Sequence, residues 1–86
     1  MKLIYCPQCH DVVKLAFDAR SCECEASHGY YKADGLNAVY SGLAVPLGFA
    51  NHSFQAAILD QPDEGMGGRF EAFIIPKSCP TCWREE

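Results

Sequence analysis

The sequence predicts an α+β fold, a small zinc-ribbon or knuckle region on an antiparallel β-sheet with one short helix. Three observations carry that expectation. Four cysteines stand near the start as Cys6-Pro7-Gln8-Cys9 and Cys22-Glu23-Cys24, with twelve residues between the pairs. Short apolar runs punctuated by Gly, Pro, Asp and Asn fill most of the remaining chain, which is how strands and their turns read. Near Asn51–Gln61 the apolar residues Phe54, Ala57 and Ile58 fall at i, i+3 and i+4, the spacing of one helical face.

The cysteines come first because the fold is expected to hang on them. A CxxC pair puts two sulfurs on one side of a turn, and Pro7 sets a backbone angle suited to that turn. A CxC pair chelates from one short segment. Zinc takes four ligands in a tetrahedron and paired cysteines supply thiolates two at a time, so Cys6, Cys9, Cys22 and Cys24 are the expected ligands of one Zn²⁺. Closing so short a loop costs little entropy, and the bound metal returns much more as folding free energy.

Eighty-six residues make one domain, 1–86, too small for a second core and of a size that often needs a metal or disulfides. It divides into a metal-binding region at 5–25, a sheet and helix at 30–76, and a cysteine-containing tail at 77–86. Six cysteines also suit a secreted disulfide scaffold. Met1-Lys2-Leu3-Ile4-Tyr5 does not lead into the long apolar segment of a signal peptide, so a reducing, cytoplasmic setting and metal binding are expected.

Seven Lys and Arg against eleven Asp and Glu give a net charge of −4. Four thiolates around a divalent ion would make the loaded protein more acidic still. Zinc ribbons that hold nucleic acid by its phosphates are basic, so nucleic-acid binding is disfavoured. From Gly35 to Leu59 there is no Asp, Glu, Lys or Arg. That stretch is too interrupted by Gly, Pro, Asn and His to span a membrane. It reads as the core of a small domain, continuing into an apolar surface for a protein partner or self-association.

Along the chain, Met1–Tyr5 is an expected strand, with Leu3 and Tyr5 on one face and Ile4 on the other. Adjacent Val12 and Val13 favour a second strand, and residues 18–21 form a polar turn towards Cys22. Tyr30-Tyr31-Lys32 is a strand, followed by a turn whose Gly35 accepts positive φ. Ala38–Tyr40 and Leu43–Phe49 are two more strands around Ser41-Gly42. Pro46 lacks an amide donor, which predicts an edge strand or a bend there. Asn51 or Ser53 is expected to cap the helix, and Pro62 to follow its end. The alternation over Arg69–Ile75 predicts a mostly buried strand, ended by Pro76.

Cys79-Pro80-Thr81-Cys82 leaves two thiols beyond one tetrahedral site. They either displace the CxC as partners of Cys6 and Cys9, or make half of a second site, or remain free; the compact N-terminal loop favours the first four cysteines. His10, His28 and His52 read as bystanders, a turn residue and a first-turn side chain. No Ser-His-Asp order or paired carboxylates appear, so no catalytic machinery is expected. The glycines of 65–68 lack phosphate-loop spacing, although that loop and the Asn51 helix start offer amides for a small ligand or anion. A third reading is a thiol oxidoreductase, since Cys-Pro-x-Cys, Val45-Pro46 and Gly67-Gly68 look like glutaredoxin. Against it, Val12-Val13 weakens the required helix and Cys22 and Cys24 have no role there.

Beyond cysteine spacing, the chain carries Cys6-Pro7-x-Cys9-x-Asp11-Val12-Val13, Arg20-Ser21-Cys22-x-Cys24, Gly29-x-Tyr31, Leu36-Asn37-Ala38, Pro46–Asn51, and Gly65-Met66-Gly67-x-Arg69-Phe70-x-Ala72-Phe73. Over nearly all its length it resembles a family of small zinc-ribbon-like proteins, themselves functionally uncharacterised, from bacterial and phage genomes. The resemblance implies a metal-stapled fold and the four-cysteine site, and no activity. Glycine often follows the CxC in that family, where this chain has Glu25. The expected function is therefore non-catalytic zinc binding in a protein-interaction module or regulator.

Overall fold

Short runs of two to five residues, most of them apolar and separated by turns, give eight strands among the described residues, and Asn51–Leu59 gives one helix. The structure is a computed structural model and describes residues 1–85. The strands are β1 (Lys2–Tyr5), β2 (Val12–Lys14), β3 (Arg20–Ser21), β4 (Ser27–Tyr31), β5 (Ala38–Gly42), β6 (Val45–Phe49), β7 (Ala72–Ile74) and β8 (Cys82–Arg84), with helix α1 (Asn51–Leu59) between β6 and β7. The fold is mixed α+β. It has two four-stranded sheets where the sequence suggested one, ordered β2-β1-β6-β7 and β3-β4-β5-β8. All pairs are antiparallel except β5–β8, which is parallel.

Each sheet begins with a hairpin that carries one cysteine pair in its loop. β1 and β2 flank Cys6–Cys9, and β3 and β4 flank Cys22–Cys24. The two hairpins therefore present their cysteine loops side by side. Between the sheets lies a core of Ile4, Leu15, Ala38, Tyr40, Ala44, Ile75 and Cys82. Leu3 and Ile4, on opposite faces of β1, are both buried, so the strand is covered on both faces.

Pro46 does not mark an edge. β6 is central, between β1 and β7. Phe49 N–H bonds the Met1 carbonyl, and antiparallel ladders alternate, so Pro46 faces Ile4 in a pair that needs no hydrogen bond. On its other side the proline lies just past the end of β7, where its carbonyl accepts the Ile75 N–H at 3.0 Å. The missing donor is thus placed where the ladder asks least of it.

The chain changes sheets between β5 and β6, and Gly42 makes the turn. Its φ is +70°, and a Cβ there would lie 2.1 Å from the Ala26 carbonyl oxygen. That same oxygen accepts the Leu43 N–H at 2.9 Å. Only glycine fits a left-handed residue pressed against backbone.

Helix α1 starts as expected but is capped differently. The N-cap is Ala50, without a side-chain cap bond. Asn51 Oδ1 accepts a bond from the Met1 nitrogen, and Ser53 Oγ donates to the Ala50 carbonyl while accepting the Glu71 N–H. No helix residue is fully buried; Phe54 instead packs edge-on against Phe70 and at a tilt against Phe49, at centroid distances of 4.7 and 5.2 Å. The strand expected over Arg69–Ile75 is only Ala72–Ile74 and is exposed throughout, with Ile75 buried just beyond it. An edge strand on a small sheet has no second layer to cover it. Residues 77–86, read from the sequence as a tail, carry β8 at Cys82–Arg84 against β5; Glu86 lies outside the described residues. Among the described residues no helix is long and apolar enough to cross a membrane.

Candidate metal centre

Two six-residue loops build the site. In Cys6–Asp11 the Cys6 N–H bonds the Asp11 carbonyl at 3.0 Å, and in Cys22–Ser27 the Cys22 N–H bonds the Ser27 carbonyl at 3.0 Å. Each loop closes by a left-handed residue placed directly after its second cysteine, His10 at φ 63° and Glu25 at φ 64°. Those two residues reverse the backbone so that both sulfurs of a pair face the same way. Side chains then tie loop to loop. Asp11 Oδ2 accepts the Glu23 N–H at 3.0 Å, and Gln8 Nε2 donates to Cys24 Sγ at 3.4 Å.

The result brings Cys6, Cys9, Cys22 and Cys24 together with all four sulfurs within 4.8 Å of one another. Cys6 and Cys24 are 3.7 Å apart and Cys22 and Cys24 are 3.5 Å apart. A tetrahedron with metal–sulfur bonds of about 2.3 Å has edges of about 3.8 Å, so the spacing matches a single ion at the centre. All six cysteines are free thiols. Cys6 and Cys22 are buried, Cys9 is half-buried and Cys24 is exposed, which sets the site at the surface end of the two hairpins.

The electrostatics point the same way. The Ser27 hydroxyl lowers the Cys6 thiol most, aided by the Cys9 and Gln8 amides against the opposing effect of burial, to about 6. At Cys22 burial pushes upward, but the Ser27 amide and the neighbouring Cys24 and Cys9 thiols leave the net shift downward. Cys24 is pulled down by the Ala26 amide, yet burial and the three neighbouring sulfurs together raise it to about 12. Four sulfurs this close do not all ionise unless a cation sits among them. A divalent ion turns that repulsion into attraction.

Ser27 is the clearest test of fit. It is fully buried, and its Oγ has no partner in hydrogen-bond geometry. The largest influence on Cys6 is nevertheless this same hydroxyl. The two observations agree if the contact is too loose for a neutral thiol and tightens onto a thiolate, which is the stronger acceptor. A buried hydroxyl with no other partner, whose influence falls on Cys6, suits a metal-bound Cys6.

The sequence picked out these four cysteines from spacing alone. It assigned no role to Ser27, Asp11 or Gln8, although a carboxylate directly inside the first loop and a serine opening β4 were visible signals. His10 is engaged by Tyr5, with 2.6 Å between the hydroxyl and Nδ1, and His28 by Ser21 at 2.7 Å. Neither joins the cluster. Cys79 and Cys82 lie outside it too, against the hydrophobic core. The glutaredoxin-like arrangement finds no counterpart, because a left-handed residue and β2 follow Cys9 where that fold places a helix. Loop 62–68 forms a hollow of about 480 Å³ with Phe54, Ala57 and Ile58 along one side of α1. Asp63 and Glu64 line it, so its charge disfavours an anion. No protein-family model, curated protein or solved structure matches this chain.

Proposed function

We propose that the chain is a non-catalytic zinc-binding protein that works as a protein-interaction module or regulator. The observation that carries the reading is the cluster of four sulfurs at the spacing of a tetrahedral ion. Four thiolates are soft ligands in a closed set, and a closed tetrahedral site keeps no open position for a substrate or an activated water. Zinc is then a structural ion here, and its binding free energy supports the folding of a small domain. The partner is expected to be protein. The acidic balance opposes phosphate backbones, while β7 offers an unpaired edge with Phe73 52% and Ile74 66% exposed. A strand added to that edge would gain main-chain hydrogen bonds and cover both side chains. The uncharged stretch also predicts that some of Leu43, Val45, Leu47 and Phe49 face outward along the Pro46 strand; Leu43 is exposed, and the other three, on the central β6, are half-buried.

Mass spectrometry of the native and denatured protein tests the metal. One Zn²⁺ per chain is expected, lost in Cys22→Ser and kept in Cys82→Ser. Equal retention in the two variants would show that the site is wrongly assigned. Light scattering after size exclusion, with a gel shift on mixed nucleic acids, tests the partner. A strict monomer that binds nucleic acid in a salt-sensitive way would overturn that half.

A further inference from the structure

We propose that Cys79 and Cys82 form a second thiol site, independent of the metal, which exchanges with low-molecular-weight disulfides: Cys79 is the entry thiol and Cys82 the resolving thiol. Nothing in the four-sulfur cluster uses this pair. The chain turns between them, with the Cys82 N–H on the Cys79 carbonyl at 3.4 Å. Such a closure holds the two Cα atoms within about 7 Å, and disulfides span about 4.4–6.8 Å. The two thiols differ in access. Cys79 is half-buried and lines a crevice of about 230 Å³ with Lys2, Phe73, Ile75 and Thr81. Cys82 is fully buried in the core. A reagent from solution meets Cys79 alone.

Their surroundings divide the roles in the same direction. The Thr81 amide and hydroxyl lower the Cys79 thiol, with 3.6 Å between Cys79 Sγ and Thr81 Oγ1. Burial raises the Cys82 thiol. The Lys2 ammonium, held by the Thr81 carbonyl at 3.0 Å, adds positive charge beside both sulfurs and towards any carboxylate in the crevice. A thiolate is the attacking species in exchange, so the exposed and more acidic sulfur begins it. Cys79 attacks one sulfur of the disulfide RSSR; that S–S bond breaks, and RS⁻ leaves and takes a proton from water. Cys82 then gives its proton to water, and its thiolate attacks the Cys79 sulfur of the mixed disulfide. The second RS⁻ leaves. Two protein thiols are oxidised to one disulfide, and one RSSR is reduced to two RSH.

The test is mass mapping of the metal-loaded protein after incubation with oxidised glutathione and acid quench. Wild type should lose two hydrogens, carry a Cys79–Cys82 disulfide, and keep its metal. Cys82→Ala should accumulate one glutathione on Cys79, and Cys79→Ser should take up none. A wild type that stays reduced, glutathione on Cys82 of Cys79→Ser, or a disulfide that draws on Cys6, Cys9, Cys22 or Cys24 would overturn the proposal. Should Cys82→Ala fail to fold, the wild-type map and Cys79→Ser decide the matter alone. Metal retention, read by native mass spectrometry of an unquenched aliquot at neutral pH, separates this outcome from failure of the zinc site.

Discussion

His10 and Glu25 hold the same uncommon backbone conformation for the same reason, since each must turn the chain directly after the second cysteine of its pair. A side chain in that region costs about 1–2 kcal/mol, which glycine avoids. Glu25→Gly should therefore raise the stability of the metal-loaded protein by about 0.5–1 kcal/mol after the extra freedom of glycine in the unfolded chain is counted, as a denaturant titration would read. His10→Gly should gain less, because it gives up the bond with Tyr5. Ser27→Ala separates a metal-supporting role from a packing role. The hydroxyl has no aligned partner without metal, so apo stability should hold or rise slightly, whereas competition with a chelator should show metal affinity falling about tenfold. Asp34 gives the pH dependence. Its carboxylate accepts the Leu36 and Asn37 amides, both at 2.9 Å, and these hold it below the usual carboxylate range. A carboxyl depressed on folding stabilises above its unfolded value and loses that contribution as pH falls through the folded one. Thermal melts should thus place Asp34→Asn below wild type near neutrality, with the two converging as the pH falls through the acidic range, so that the variant has the flatter pH profile. Cysteine spacing made the candidate ligands legible, since a loop's chemistry is local. The position of Ser27 beneath Cys6 was not, because it depends on how one hairpin lies against another.

The elements differ in how firmly they are fixed. Gly42→Ala forces a Cβ into the Ala26 carbonyl and keeps a left-handed φ, so a loss of about 3 kcal/mol or more is expected. Gly65 also has positive φ, at 84°, but nothing lies within 4 Å of its would-be Cβ. Gly65→Ala should lose only about 1 kcal/mol, and chemical denaturation of both variants measures the contrast. Because Ala26 belongs to the second cysteine loop, Gly42→Ala should also hasten metal release, while Gly65→Ala should not. Strand positions at 2–5, 12–14 and 38–49 followed from apolar runs and turn residues. Whether a strand is central or at an edge did not, because that is set by partners distant in sequence. Pro46 is the plainest case, since its ring is compatible with a central strand only through the register of β1 and the early end of β7. Likewise β8 is too short and too mixed to announce itself before β5 pairs with it.

At the scale of the whole molecule, a small two-sheet domain leaves much apolar surface uncovered. Leu59 is 89% exposed and Met66 85%, in addition to the β7 side chains. If β7 carries the interaction, Ile74→Lys should abolish self-association in light scattering and leave metal content unchanged, because an edge lysine blocks strand addition without touching either cysteine loop. Division into two sheets was not readable from sequence, for β1 finds β6 only after more than thirty intervening residues have folded back. One consequence concerns the order in which the molecule opens. Both cysteine loops and the β5–β6 crossover lie at one end of the structure, since Tyr5 pairs with Val45 and Ser27 with Gly42. Amide exchange should accordingly be lopsided, with the Cys6, Cys22 and Leu43 amides surviving longest and those of 60–71 exchanging first. Chelation should reverse part of this order, releasing Cys6 and Cys22 early, while Leu43, bonded to the Ala26 carbonyl at the covalent crossover, stays slow.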